Sequence, residues 1–248
     1  MFKTSKQNFS LIELLVVMAI FSLLAALLQP ALQKTKSKAY YIACSSNFKN
    51  IHLALDQYIG DFLVYPYSIS NAKGTNAGGI TWDDSLAEGY DGRTVDSGKN
   101  SWNIQPKSAF LNQDEANAIY HCPMDQTVRS EDDAYPRTYG MNTYKYWAKK
   151  GISNYWKEAQ LTRWSASINE IPVPSQTFLL MESQRGYLGN PYYAGVSSAL
   201  SLSTPTHGGG FNFLFVDGHQ ENLLLEETWD STKSVWQSGG YWTRDPDD

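Results

Sequence analysis

Three observations predict an α+β fold in which one long N-terminal helix, half membrane-spanning and half amphipathic, packs on an antiparallel β-rich head. Residues 9–28 form an apolar run in which only Ser10, Glu13 and Ser22 are polar. Further on, Cys44, Phe48, Ile51, Leu55, Tyr58 and Phe62 recur at three- and four-residue spacing, the apolar face of a helix. Near the C-terminal end, Phe211, Phe213 and Phe215 alternate with Asn212, Leu214 and Val216, and Asp217-Gly218 follows. That is a strand with an aromatic face leading into a hairpin turn.

The first run is long enough to matter. Its 20 residues span about 30 Å as a helix, the hydrocarbon thickness of a bilayer. A buried core helix would carry an apolar stripe, not an apolar surface all round. Lys3 and Lys6 would suit the n-region of a secretory signal, but such signals have a shorter apolar segment of about 7–15 residues. A single membrane span over residues 9–28 is the expectation. Glu13 then needs a reason, because a carboxylate inside a membrane helix is expensive and usually has a partner. The bland alternative is that Glu13, one turn in, snorkels to the headgroups.

Composition bounds the remainder. The 248 residues carry 20 Lys+Arg against 25 Asp+Glu, a net charge of −5, and 42% of them are apolar. That supports a packed core and excludes wholesale disorder. A mean hydropathy of −0.41 excludes a polytopic membrane protein, and a pI near 5.4 without a basic block argues against nucleic-acid binding.

The segment Asn8-Phe9-Ser10-Leu11-Ile12-Glu13-Leu14 resembles the processing signal of type IV prepilins and type II secretion pseudopilins. The resemblance implies a leader of residues 1–8, cleavage between Asn8 and Phe9 by a prepilin peptidase, and N-methylation of Phe9. The family prefers Gly before the cut, where this chain has Asn8. It also implies that Glu13 pairs with the N-terminal ammonium of a neighbouring subunit during assembly, and a buried carboxylate does need such a countercharge. Pro30 stands where the family carries a helix-kinking proline, and a mid-helix proline removes a hydrogen bond. Lys34, Lys36 and Lys38 follow the span and Lys3 and Lys6 precede it, so the positive-inside count leaves orientation open. An N-terminus inside and an exported head are what the resemblance implies.

The amphipathic stripe extends the helix to about residue 59, giving 51 residues from position 9 and about 77 Å. Together the two halves resemble the spine of a pilin-like fold. Residues 60–248 form the head. Residues 71–99 are glycine-rich with few aliphatics and read as a surface excursion. Residues 119–124 and 178–181 read as short strands or buried segments. Asp217-Gly218 reads as the two-residue type I′ turn of a hairpin whose return strand covers residues 219–225.

A second resemblance covers nearly the whole chain. His207, nine residues, then Asp217-Gly218 is similar to the C-terminal H-x9-D-G signature of a pseudopilin-like bacterial family. Cys44-Ser45-Ser46-Asn47-Phe48-Lys49, Cys122-Pro123-Met124-Asp125 and Tyr139-Gly140-Met141-Asn142 are similar to its other landmarks. Across an extended strand, His207 and Asp217 would stand about 30 Å apart, so a shared catalytic site is not expected. The glycines after His207 lack the Lys and Ser/Thr of a phosphate loop and read as close backbone packing.

Other chemistry is thin in the sequence. Asp83, Asp84, Asp91 and Asp96 lack the spacing of an EF-hand; a structural calcium site is the alternative to an expectation of no metal and no cofactor. His121 and Cys122 have no second ligand pair at zinc spacing. Cys44 and Cys122 are either a disulfide closing 78 residues, worth about 4 kcal/mol in entropic models, or two buried thiols. There is no G-x-S-x-G, and His52, His121, His207 and His219 have no identifiable sequence partners. The 8 Trp and 16 Tyr leave room for a sugar-binding face, against ordinary core aromatics.

These features predict a non-enzymatic, pilin-like structural subunit of a type II secretion pseudopilus or a type IV pilus-like fibre. It would sit in the cytoplasmic membrane with its head in the periplasm. Its expected partners are other pilin-like subunits in a homo- or hetero-oligomer, the prepilin peptidase, and a secretion or pilus assembly platform. The alternative is an uncleaved, single-span anchored protein whose exported head binds carbohydrate or another ligand.

Overall fold

The computed structural model describes residues 10–66, 69–70, 80–87, 89–93, 118–126, 138–142, 152, 165–182 and 207–228. The chain divides into two units, Met1–Tyr40 and Tyr41–Asp248.

Helix α1, Leu11–Phe62, has 52 residues. Its start is a capping box: Ser10 Oγ accepts from the Ile12 N–H at 3.3 Å, and Glu13 accepts from the Ser10 N–H at 2.9 Å. Within the first unit the apolar side chains from Leu11 to Leu28 are exposed, Leu11 by 85% and Leu28 by 67%. Ser22 returns its hydroxyl to the carbonyls of Met18 and Ala19 and Thr35 to that of Ala31, so these polar groups are satisfied without solvent. The helix continues through Pro30, which leaves the Ala26 carbonyl without its usual donor. α1 is therefore long and apolar enough to cross a membrane.

In the second unit α1 is amphipathic. Cys44, Phe48, Ile51, Ala54, Leu55 and Ile59 are buried, each large side chain contributing about 1.5–3 kcal/mol by leaving water. Phe62, expected on this stripe, is 54% exposed; it is the last helical residue and stacks on Tyr58 at 4.5 Å instead of entering the core. Gly60 does not end the helix. The stop comes at Leu63, whose φ of +60° and 2.8 Å bond to the Ile59 carbonyl form a left-handed cap normally given to glycine.

The head is built on a four-stranded antiparallel sheet, ordered β3 (Tyr139–Met141), β4 (Phe178–Glu182), β5 (Phe211–Phe215), β6 (Gln220–Leu223). A separate two-stranded pair joins β1 (Ile69–Ser70) to β2 (Ile80–Thr81), which runs into a short helix α2 (Trp82–Leu86). In β4 the register shifts between Phe178, opposite Phe215, and Leu180, opposite Leu214. The extra residue, Leu179, is a bulge, so Leu179 and Leu180 both join the core under α1. Phe178 and Met181 join Phe211, Phe213 and Phe215 in a second cluster. The aromatic face of β5 is thus buried as well as its aliphatic face.

Two expectations are corrected here, and one pair of alternatives is decided. Residues 119–124 hold buried positions but no strand: Ala118–Tyr120 is a 3-10 turn that buries Tyr120 and leads to buried Cys122. Residues 80–87 and 89–93 are not a surface excursion, because Trp82, Asp83, Leu86, Ala87 and Arg93 are buried. The β5–β6 turn is not type I′. Phe215 N–H bonds the His219 carbonyl at 2.9 Å across a three-residue loop, and only Gly218 there has positive φ, at +87°. That is a turn closed by a glycine bulge, with the return strand starting at Gln220. The primed turn lies at the other end of β5: His207 and Gly210 exchange backbone bonds around Gly208 and Gly209, at φ +62° and +98°.

Candidate functional site

Landmarks of the second resemblance meet along one turn-by-turn seam between the second-unit part of α1 and the head. Cys44 is disulfide-bonded to Cys122, with Cα atoms 5.3 Å apart. One residue on, Ser45 donates to Gln220 Oε1 at 2.7 Å while Gln220 Nε2 donates to the Ser45 carbonyl at 3.1 Å. Asn47 donates to the His121 carbonyl at 3.1 Å and to Tyr139 Oη at 3.3 Å. Two turns below the disulfide, His52 bonds Asp56 at 3.0 Å and the Val216 carbonyl at 3.3 Å. Cys44, Ser45, Asn47 and His52 thus lock one helix face to the Cys122 segment, to β6, to β3 and to Val216 just after β5.

The landmark side chains satisfy backbone that the sheet leaves open. Asp125 accepts from Thr138 Oγ1 at 2.8 Å, and that hydroxyl accepts from the Cys122 N–H at 2.9 Å. Asn142 donates through its N–H to the Leu179 carbonyl and through Nδ2 to that of Phe178, both at 2.9 Å. It fills the gap that the bulge opens in the ladder. Burial raises the Tyr139 hydroxyl well above its ordinary value despite the bond from Asn47.

A polar centre lies beside the disulfide. His207, 3% exposed, brings Nε2 to 3.1 Å from Glu182 Oε1 and 3.2 Å from Cys122 Sγ. Glu182, fully buried at the end of β4, also accepts from the N–H and Nδ2 of Asn212, both at 3.1 Å. Asn222 holds the Asn212 amide at 2.8 Å and the His207 carbonyl at 3.3 Å, and Tyr41 meets the imidazole edge-on at 5.6 Å. His207 Nδ1 has no hydrogen bond among the described residues.

Asp217 belongs to neither His207 nor Glu182. It accepts from the His219 backbone at 3.1 Å and ring Nδ1 at 2.5 Å. Partial burial pushes its carboxyl up, but the hydrogen bonds and charge of His219 outweigh that and hold it below its ordinary value. Gly218 sits against His52: a Cβ built on it would stand 3.1 Å from the imidazole ring. The H-x9-D-G spacing therefore marks the two ends of β5, each fastened to α1, and His207 and Asp217 keep separate partners.

No family model, curated protein or solved structure matches the chain.

The other sequence candidates fall as follows. Asn8 and Phe9 lie outside the described residues, as do Asp96 and every Trp except Trp82, which is buried. Asp83 and Asp91 do not face a shared cation site but converge on Arg93: Asp91 lies 2.6 Å from the guanidinium and Asp83 3.5 Å. Arg93 also bonds the Asp83 carbonyl and stacks 4.4 Å from the Tyr120 ring, whose hydroxyl donates to Asp91 at 2.6 Å. Burial opposes this guanidinium's charge, but Tyr120, Asp83 and Asp91 more than offset it and raise Arg93 above its ordinary value.

Glu182, Asn212 and Asn222 are the site residues that sequence reasoning missed. A signal existed for Glu182. Period-two alternation from Leu180 puts position 182 on the inward face of an apolar strand, where a carboxylate needs partners.

Proposed function

We propose that this chain is a pilin-like structural subunit, processed between Asn8 and Phe9 and assembled through α1 into a type II secretion pseudopilus or type IV pilus-like fibre. The observation that carries the reading is the change of character along α1. From Leu11 to Leu28 its apolar side chains are exposed, whereas from Cys44 the same helix buries its apolar face in the head and is fastened there by a disulfide. An apolar surface of that extent needs a covering, and lipid followed by sister helices supplies it. The disulfide fits an exported head, where thiols are oxidised.

Glu13 fits the assembly role. One carboxylate oxygen accepts from Ser10, and the other carries no hydrogen bond among the described residues, so an incoming α-ammonium has an acceptor. A free amine at Phe9 is what leader cleavage creates. In this reading the head forms the outer surface and the subunit does no chemistry of its own.

Glu13→Gln tests the assembly step cleanly, because Gln preserves a capping box and removes only the charge. Expressed in the native host, the variant should insert in the membrane normally yet fail to enter sheared fibres. Normal incorporation of Glu13→Gln would remove the mechanism.

A further inference from the structure

We propose that Cys44, Cys122, Glu182 and His207 form a zinc site in the reduced chain, so that one buried position holds either Zn2+ or a disulfide. The Sγ atoms, a Glu182 oxygen and a His207 ring nitrogen all lie within 4.8 Å of one another, and all four residues are buried. Two sulfurs, one imidazole and one carboxylate are a tetrahedral zinc donor set. Zn–S near 2.3 Å and Zn–N near 2.0–2.1 Å put neighbouring donors about 3.3–3.8 Å apart. His207 Nε2 already stands 3.2 Å from Cys122 Sγ and 3.1 Å from Glu182 Oε1, so small side-chain adjustments suffice once the sulfurs separate.

Two further observations point to a cation. Glu182 is a fully buried carboxylate whose only partners among the described residues are His207 and the Asn212 amides, and among those residues no guanidinium or ammonium stands beside it. Its orientation is also enforced from outside, by Asn212 and in turn by Asn222, as the carboxylate ligands of metal sites are. The thiolates and imidazole select zinc over calcium or magnesium.

The chemistry balances. Two Cys–SH and one Zn2+ give a Zn(S-Cys)2 centre and release two protons. Disulfide formation removes the same two protons with two electrons, which reduce the disulfide of an oxidising partner molecule to a dithiol. Zinc and disulfide are therefore mutually exclusive cross-links between α1 and the Cys122 segment. Zinc would hold the helix to the sheet before oxidation does. This inference stands whether or not the chain assembles into a fibre.

The test uses the full chain in detergent, reduced by a dithiol under nitrogen, desalted, and titrated with Zn2+ alone and with Co2+ alone. The expected result is one equivalent of zinc per reduced chain and none per oxidised chain. Co2+ should give a thiolate charge-transfer band and tetrahedral d–d bands. Glu182→Gln and His207→Gln should each weaken zinc by roughly 10-fold or more, with near-UV circular dichroism showing that the head is folded. A readout that needs no variant is thiol alkylation, which zinc should slow at both cysteines. No uptake by the reduced chain, equal uptake by the oxidised chain, or an affinity indifferent to both variants overturns the proposal.

Discussion

Gly218 lies directly on the imidazole of His52: a Cβ at position 218 would stand 3.1 Å from both Cε1 and Nε2 of that ring. The same glycine has φ +87°. Two separate constraints therefore oppose a side chain, one from the backbone and one from the helix beneath. Gly218→Ala should destabilise the head by about 1–3 kcal/mol, read as a lower denaturant midpoint with an unchanged slope.

The disulfide closes a loop of 78 residues between α1 and the segment before β3. Replacing both cysteines by serine should cost about 4 kcal/mol, measured by urea denaturation of the oxidised chain against the variant. Equal stability of the two would mean that the seam of Ser45, Asn47 and His52 holds the helix unaided.

Arg93 is buried between two carboxylates and a tyrosine. Arg93→Met should lower stability by about 3–5 kcal/mol, because it leaves Asp83 and Asp91 without their cation in the core. Adding Asp91→Asn to that variant should recover part of the loss. Thermal unfolding of the single and double variants checks both statements.

The acid response should be shaped in part by Asp217. Its folded pKa lies below the ordinary aspartate value of 3.8, so its contribution is present above that pH and is lost as pH falls through the lower folded value. Asp217→Asn should flatten the stability profile below pH 3.8 and lower stability in the neutral range, where the contribution is otherwise present. The tyrosines act at the other end. Burial raises Tyr65, Tyr120 and Tyr139 above the ordinary 10.0, so their contribution is full below that pH and fades as pH rises past it. In a spectrophotometric titration these three should ionise only as the head unfolds.

What was legible in the sequence is what repeats with a period. The apolar run of 9–28, the stripe from Cys44 to Leu55 and the alternation in β5 each declare their element because burial follows 3.6- or two-residue spacing. The end of α1 was not legible: Gly60 looks like the stop, while the chain places the left-handed residue at Leu63. Asp217-Gly218 suits both a two-residue type I′ turn and a three-residue loop closed by glycine, and only the strand register decides between them. Glu182 showed only its inward position, because the partners of a buried charge are set by tertiary contacts: Glu182 finds Asn212 30 residues away. Arg93 gave no sequence signal of its burial beside Asp83, Asp91 and Tyr120. The disulfide stood among the sequence alternatives; the polar centre beside it did not.

Presentation of α1 to sister subunits after leader removal, the proposed assembly step, depends on the N-terminal residue of the mature protein. Its most direct test is the intact N-terminal mass of the chain taken from its host's own membranes. The expected result is a chain beginning at Phe9, with or without one added methyl group. A chain still carrying residues 1–8 would contradict it, because Glu13 would then have no free amine to meet.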